Sequence, residues 1–145
     1  TDQEKYSMLD RQIEEEQLPY CHDKGMAVLA YSPLAQGLLT GKMRPDREFP
    51  AGDLRRNNER FSVENRTRVA NMLEEMKPFA EARNITLTQL TIAWTVTQRG
   101  LTHALCGARN PDQAFENATA GNVQLSEDEN ERLNAIIARH SGDLV

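Results

Sequence analysis

Two short apolar runs, MAVLAYS at residues 26–32 and THALCGA at residues 102–108, constrain this chain more than any other feature. Each follows a glycine, Gly25 or Gly100, and each is apolar at successive positions, the pattern of a strand buried on both faces. Elsewhere the apolar period lengthens. Val69, Leu73, Met76 and Ala80 share one side of a predicted helix from Val63 to Arg83. Short buried strands that alternate with helices form parallel sheets, because each parallel crossover needs a connection long enough to return across the sheet. A third, shorter strand is predicted at KYSML, residues 5–9.

Helix ends are well marked. IEEEQLPYCHDKG, residues 13–25, has acids at its start and closes on Gly25, with Pro19 either starting or bending the helix near Leu18. Thr86 and Gln89 form a capping box for a helix running through Ile92, Ala93 and Val96 toward Gly100. Asn110 followed by Pro111 is an N-cap with proline at the first helical position. Ser126 and Glu129 make a second capping box, and Leu133, Ile136 and Ile137 give that helix its apolar side. Residues 43–61 form a long polar loop with Pro45, Pro50 and Gly52, of a length usually kept for function. About three strands leave sheet edges unpaired, and helices are expected on both faces. The chain is therefore expected to associate, or to be part of a larger fold.

A chain of 145 residues with 39% hydrophobic and 27% charged residues suits one globular domain. Its net charge of −5 argues against a nucleic-acid partner, and its apolar runs are too short for a membrane span. Residues 1–15 are polar and acidic, so no signal peptide is expected and a cytoplasmic location is. Cys21 and Cys106 read as buried, reduced thiols, without the spacing of a zinc or disulfide framework. The Asn-x-Thr triplets at Asn65, Asn84 and Asn117 are expected to be chance matches. His22, His103 and His140 read as structural or solvent-facing, and no metal site is expected. AQGLLTGKM is not a Walker phosphate loop: only three residues separate Gly37 from Gly41, and Met43 stands where the metal-binding hydroxyl belongs.

The blocks YSMLDRQIE, LPYCHDKGMAVLAYSPLAQGLLTGK, FPAGDLRR, TLTQLTIAW and CGARNPDQAFEN occur in the order and spacing of one known family. Over nearly its whole length the chain resembles the C-terminal part of an aldo-keto reductase. That resemblance implies a partial (β/α)8 barrel of α/β class: strands six to eight with their helices, and two added helices. It also implies NADP(H)-dependent reduction of carbonyls.

The resemblance assigns cofactor roles residue by residue. Tyr31 matches the aromatic residue that stacks on the nicotinamide, and Gln3 the residue that hydrogen-bonds its carboxamide. Ser32, Pro33 and Leu34 match the turn along the pyrophosphate, and Lys42 and Arg55 match cations that hold the phosphates as a loop closes. Gly107, Arg109, Gln113, Glu116 and Asn117 match the adenosine side, with Arg109 on the 2′-phosphate. The residues give independent support there: Gln113, Glu116 and Asn117 share a helix face, and a capped helix start presents N–H groups to an anion. Taken singly, Tyr31 also suits an ordinary core position, and Lys42 and Arg55 suit solvated loop charges.

The family's catalytic Tyr, Lys, His and Asp come from earlier strands and have no counterpart among these residues, so no catalytic residue is assigned. A full barrel takes about 250 residues. Alone, the chain is expected to be an inactive part of an NADP-dependent oxidoreductase acting on a small carbonyl substrate. The alternatives are a non-catalytic NADP(H)-binding or regulatory half-barrel, and a degenerate fragment without ligand. Pairing with a missing N-terminal half, or homo-oligomerisation, is expected to cover the open sheet.

Overall fold

The strands exist, but are shorter than the apolar runs, in the computed structural model, which describes residues 1–140. The end of the expected unit, residues 141–145, lies outside the described residues. β1 (Asp2–Lys5), β2 (Val28–Tyr31) and β3 (His103–Leu105) form one parallel sheet in the order β1-β2-β3. Gln3 pairs in register with Leu29, and Leu29 with His103; Lys5 aligns with Tyr31, and Tyr31 with Leu105.

β1 lies before the predicted KYSML, of which only Lys5 belongs to it. Ser7 ends the strand by turning back on Asp10: their backbones exchange two hydrogen bonds of 3.1 Å, and Ser7 Oγ donates to the Asp10 carboxylate at 2.7 Å. Tyr6 and Met8 thereby point into the core, fully buried. Tyr6 stacks on Trp94 with centroids 5.8 Å apart and planes 6° from parallel. Its hydroxyl donates to Glu14, and burial followed by that carboxylate pushes its pKa far above the ordinary phenol value. Arg11 lies over the same Trp94 ring, and both Arg11 and Trp94 donate to Asn134, tying β1's exit to the last helix.

α1 (Gln17–Asp23) starts later than the acidic run predicts. Glu14 ends a separate 3₁₀ turn (Gln12–Glu14), and Pro19 falls within the first turn of α1, where a missing N–H costs nothing. α2 (Val63–Ala82) and α3 (Leu87–Thr97) follow the long loop. The Thr86–Gln89 capping box is present in both directions. α4 (Pro111–Thr119) is capped by Asn110, whose side chain accepts from the Gln113 N–H. α5 (Glu127–His140) has the reciprocal Ser126–Glu129 pair at its start. Val69, Leu73, Met76 and Ala80 of α2 and Leu133, Ile136 and Ile137 of α5 are all buried. Between α3 and β3, Gly100 adopts φ +93°, and a Cβ there would lie 2.9 Å from the Leu18 carbonyl oxygen. No helix among the described residues is long and apolar enough to cross a membrane.

The sheet corrects one expectation. β2 is not buried on both faces: Val28 and Ala30 are covered, while Tyr31 is 40% exposed. Gln3, Lys5, His103 and Leu105 are likewise exposed, so the odd-numbered positions of all three strands form one open face. The even-numbered side packs on the helices. Ala27, Leu29 and Leu105 are apolar without being buried here, which is why an apolar run overstated the burial.

Candidate functional site

A cavity of about 760 Å³ opens where β2 and β3 end. One wall is the turn after β2, the second is the polar loop, and the third runs from Leu105 along the exposed side of α4. Ser32, Pro33, Leu34, Lys42, Arg55, Gly107, Arg109, Gln113, Glu116 and Asn117 all line it. Gln3 and Tyr31 do not: both sit on the open sheet face. That face adjoins the groove at Leu105, which aligns with Tyr31 and lines the cavity.

The turn after β2 is conformationally costly. Ser32, Ala35 and Gln36 have φ of 58°, 46° and 55°, although none is a glycine. Residues with side chains avoid this region, and such strain gathers at functional sites. It brings Ser32 and Gln36 to the groove, with Gly37 and Gly41 accepting the remaining left-handed positions.

Four cations, Lys42, Arg47, Arg55 and Arg109, face two carboxylates, Asp53 and Glu116, in this lining. Four of those six charges are already engaged, in two ion pairs. Lys42 Nζ lies 3.0 Å from Glu116, and Arg55 lies 2.6 Å from Asp53. The hydrogen bond from Arg55 draws Asp53 down to about 2. Burial alone would raise Glu116, but hydrogen bonds from Thr86 and Lys42, with a contribution from Thr88, hold it below the usual carboxylate range. The Arg109 guanidinium has no hydrogen bond or ion pair among the described residues; only its backbone N–H is used, donating to Gln113 Oε1 at 2.9 Å.

The start of α4 offers fewer free donors than its sequence suggests. Asn110 takes the Gln113 N–H, Pro111 has none, and Gln113 takes the Arg109 N–H. Asn117 Nδ2 donates to the Gly107 carbonyl at 3.1 Å, fixing the loop after β3 to this helix.

The polar loop has a small core of its own. Phe49 meets Phe61 edge-on at 5.8 Å, and the guanidinium carbons of Arg47, Arg55 and Arg66 lie 4.9–5.8 Å from its ring centre. Buried Arg66 donates to the carbonyls of Arg47 at 2.6 Å and Arg44 at 3.4 Å. At the far end Arg60 makes two hydrogen bonds, of 2.8 and 2.6 Å, to Asp10. Composition hid these tethers.

Sequence reasoning missed Arg47, Asp53, Thr88 and Cys106 as groove residues. The arginine-rich composition of 44–56 was the available sign for the first two; nothing local marked the others. Cys21 is buried as expected, but Cys106 is only partly so. Burial pushes the Cys106 thiol up, which leaves it a poor nucleophile. His22 lies beside Asp23, His140 pairs with Glu75, and His103 stands exposed on β3, so none reaches the groove. No cluster of metal-ligating side chains occurs among the described residues.

The profile of the Aldo/keto reductase family matches residues 1–138. The chain belongs to the aldo/keto reductase family. It is 43% identical over 125 residues to an NADH-specific methylglyoxal reductase of Escherichia coli (strain K12), a match covering 86% of this chain and 38% of that one. It is 30% identical over 128 residues to an NADP(+) aldo-keto reductase of Schizosaccharomyces pombe, covering 86% and 38%. Among solved structures it superposes on a glycerol dehydrogenase from Gluconobacter oxydans with a TM-score of 0.88 and 33% identity, over 99% of this chain and 43% of that one. The chain thus spans less than half the length of the relatives it matches. Its three parallel strands and helices match part of an aldo/keto reductase barrel, in a family of oxidoreductases that use nicotinamide cofactors.

Proposed function

We propose that this chain supplies the cofactor groove of a carbonyl-reducing, alcohol-oxidising enzyme, and that it prefers NADP(H). The groove's size lies within the range of ligand pockets, and its cations suit a dinucleotide's phosphates. When bound, the cofactor supplies the hydride. The chain's own part is to hold and orient it. Arg47 and Arg55 on the tethered loop carry charge toward the phosphates, and Ser32, Pro33 and Leu34 shape the wall beneath them. Lys42, just before the loop, pairs with Glu116 on α4 and so ties two sides of the groove together. Gln113, Glu116 and Asn117 present polar groups toward the adenosine end, and Tyr31 with Gln3 borders the nicotinamide end on the open sheet face.

The preference for NADP(H) rests on one observation: the Arg109 guanidinium lines the groove and is not engaged by any other group among the described residues. A permanent, uncommitted charge there suits a 2′-phosphate. The relatives name both cofactors, so the test compares them. Calorimetric titration is expected to give tighter binding of NADPH than of NADH, with Arg109→Ala reducing NADPH affinity about tenfold or more and leaving NADH nearly unchanged, as for loss of one charge-assisted contact. Equal effects on both would refute the assignment.

Among the described residues no tyrosine or histidine lines the groove, and this chain alone is expected to reduce no carbonyl. The open sheet face favours a partner: the remaining strands of a barrel, or a second copy of this chain. Two unpaired thiols fit a reducing compartment such as the cytoplasm.

A further inference from the structure

Phe49 does not itself line the groove, yet two of the cations that do, Arg47 and Arg55, lie against its ring. Their guanidinium carbons are 5.8 and 4.9 Å from the ring centre, and that of Arg66 is 5.2 Å away. The three arginines are held in different ways. Arg66 is buried and donates to the carbonyls of Arg44 and Arg47. Arg55 donates to both oxygens of Asp53, at 2.9 and 2.6 Å. Arg47 has no such partner: among the described residues its side chain makes no hydrogen bond or ion pair, and the Phe49 ring is the group its guanidinium lies over. Both ends of that contact are fixed. Phe61 meets the Phe49 ring edge-on, with planes 87° apart, and the 2.6 Å bond from Arg66 pins the Arg47 carbonyl.

An aromatic face and a carboxylate hold a cation with different consequences. The face attracts it through the ring quadrupole, without cancelling its charge or occupying its N–H donors. A carboxylate does both, as Asp53 does to Arg55. Arg47 therefore waits at the groove with a full charge and five donors to offer. Holding a long side chain in place beforehand also lowers the ordering cost that binding would otherwise carry. We propose that Phe49 is a positioning residue for dinucleotide binding, its ring holding Arg47 ready for the bridge of two phosphates. The inference rests on the cofactor reading above. It gives Arg47 the direct contact from the loop, and Arg55, committed to Asp53, a supporting part.

Phe49→Leu keeps an apolar side chain and removes the ring; Phe49→Tyr keeps the ring. Calorimetric titration of the 145-residue chain with NADPH and with NADH tests the proposal, using both variants, Arg47→Ala, and Arg47→Ala combined with Phe49→Leu. Phe49→Leu is expected to bind about 2- to 5-fold more weakly, the worth of one cation–ring contact. The factor is expected to be the same for both nucleotides, since the phosphate bridge is common to them. Arg47→Ala is expected to lose about tenfold, and Phe49→Tyr to bind like the parent chain. Once Arg47 is gone, Phe49→Leu is expected to cost less than about twofold, because the ring acts through that arginine. Unchanged affinity in Phe49→Leu, with the parent chain binding normally, overturns the proposal and leaves the cofactor reading standing. A full loss from Phe49→Leu in the Arg47→Ala background, or no rescue by tyrosine, assigns Phe49 to the packing of the loop and also overturns it. If the parent chain binds neither nucleotide, the cofactor reading fails and the positioning role fails with it.

Discussion

Asp10 joins the polar loop to the sheet. Burial opposes its charge, but hydrogen bonds from Arg60, Lys5 and Ser7 outweigh that and bring its pKa from an ordinary 3.8 to about 2. A carboxylate depressed in the folded state contributes stability above its unfolded pKa and loses it as pH falls through the folded value. The contribution, on the order of 2 kcal/mol, is therefore full above about pH 4 and gone near pH 2. Asp10→Asn is expected to lower neutral-pH stability by about that amount and to flatten the acid limb between those values, as read by urea unfolding at several pH values. At Gly100 the backbone conformation and the approach to Leu18 combine. Gly100→Ala is expected to lower stability by about 1–2 kcal/mol, measured by thermal unfolding.

The elements that were legible in the sequence are those with local determinants. Thr86–Gln89, Asn110–Pro111 and Ser126–Glu129 placed three helix starts correctly, because capping is a contact between residues three apart. β1 was displaced because its end depends on the Ser7–Asp10 turn and on Tyr6 finding Trp94, a partner 88 positions away (94 − 6). The site followed the same division. Ten of the residues named by resemblance line the groove, whereas Thr88 and Arg47 became visible only once α3 and the loop stood in place around it. Thr86→Ala is expected to cost about 1 kcal/mol through loss of the cap, and also to weaken nucleotide binding, because the same hydroxyl holds Glu116. For the loop, Phe49→Ala removes the ring that three arginines surround. Amide exchange is expected to accelerate across residues 44–58 while α2 stays protected. Equal protection in both forms would show that the loop is held by other contacts.

At the scale of the whole molecule, we propose that a sheet covered on one face and open on the other is completed by a partner. Sedimentation of the chain by itself is expected to show concentration-dependent association through that face, whereas a monomer at every concentration would argue against it. The groove, by contrast, is built entirely from residues present here, and that is the central claim. It is tested most directly by assigning the amide spectrum of the ¹⁵N-labelled chain and adding NADPH. Shifts are expected to concentrate at Ser32, Lys42, Arg55, Gly107, Arg109, Gln113 and Asn117 and to saturate. A folded chain whose spectrum does not change, or changes only on the open sheet face, would contradict the account.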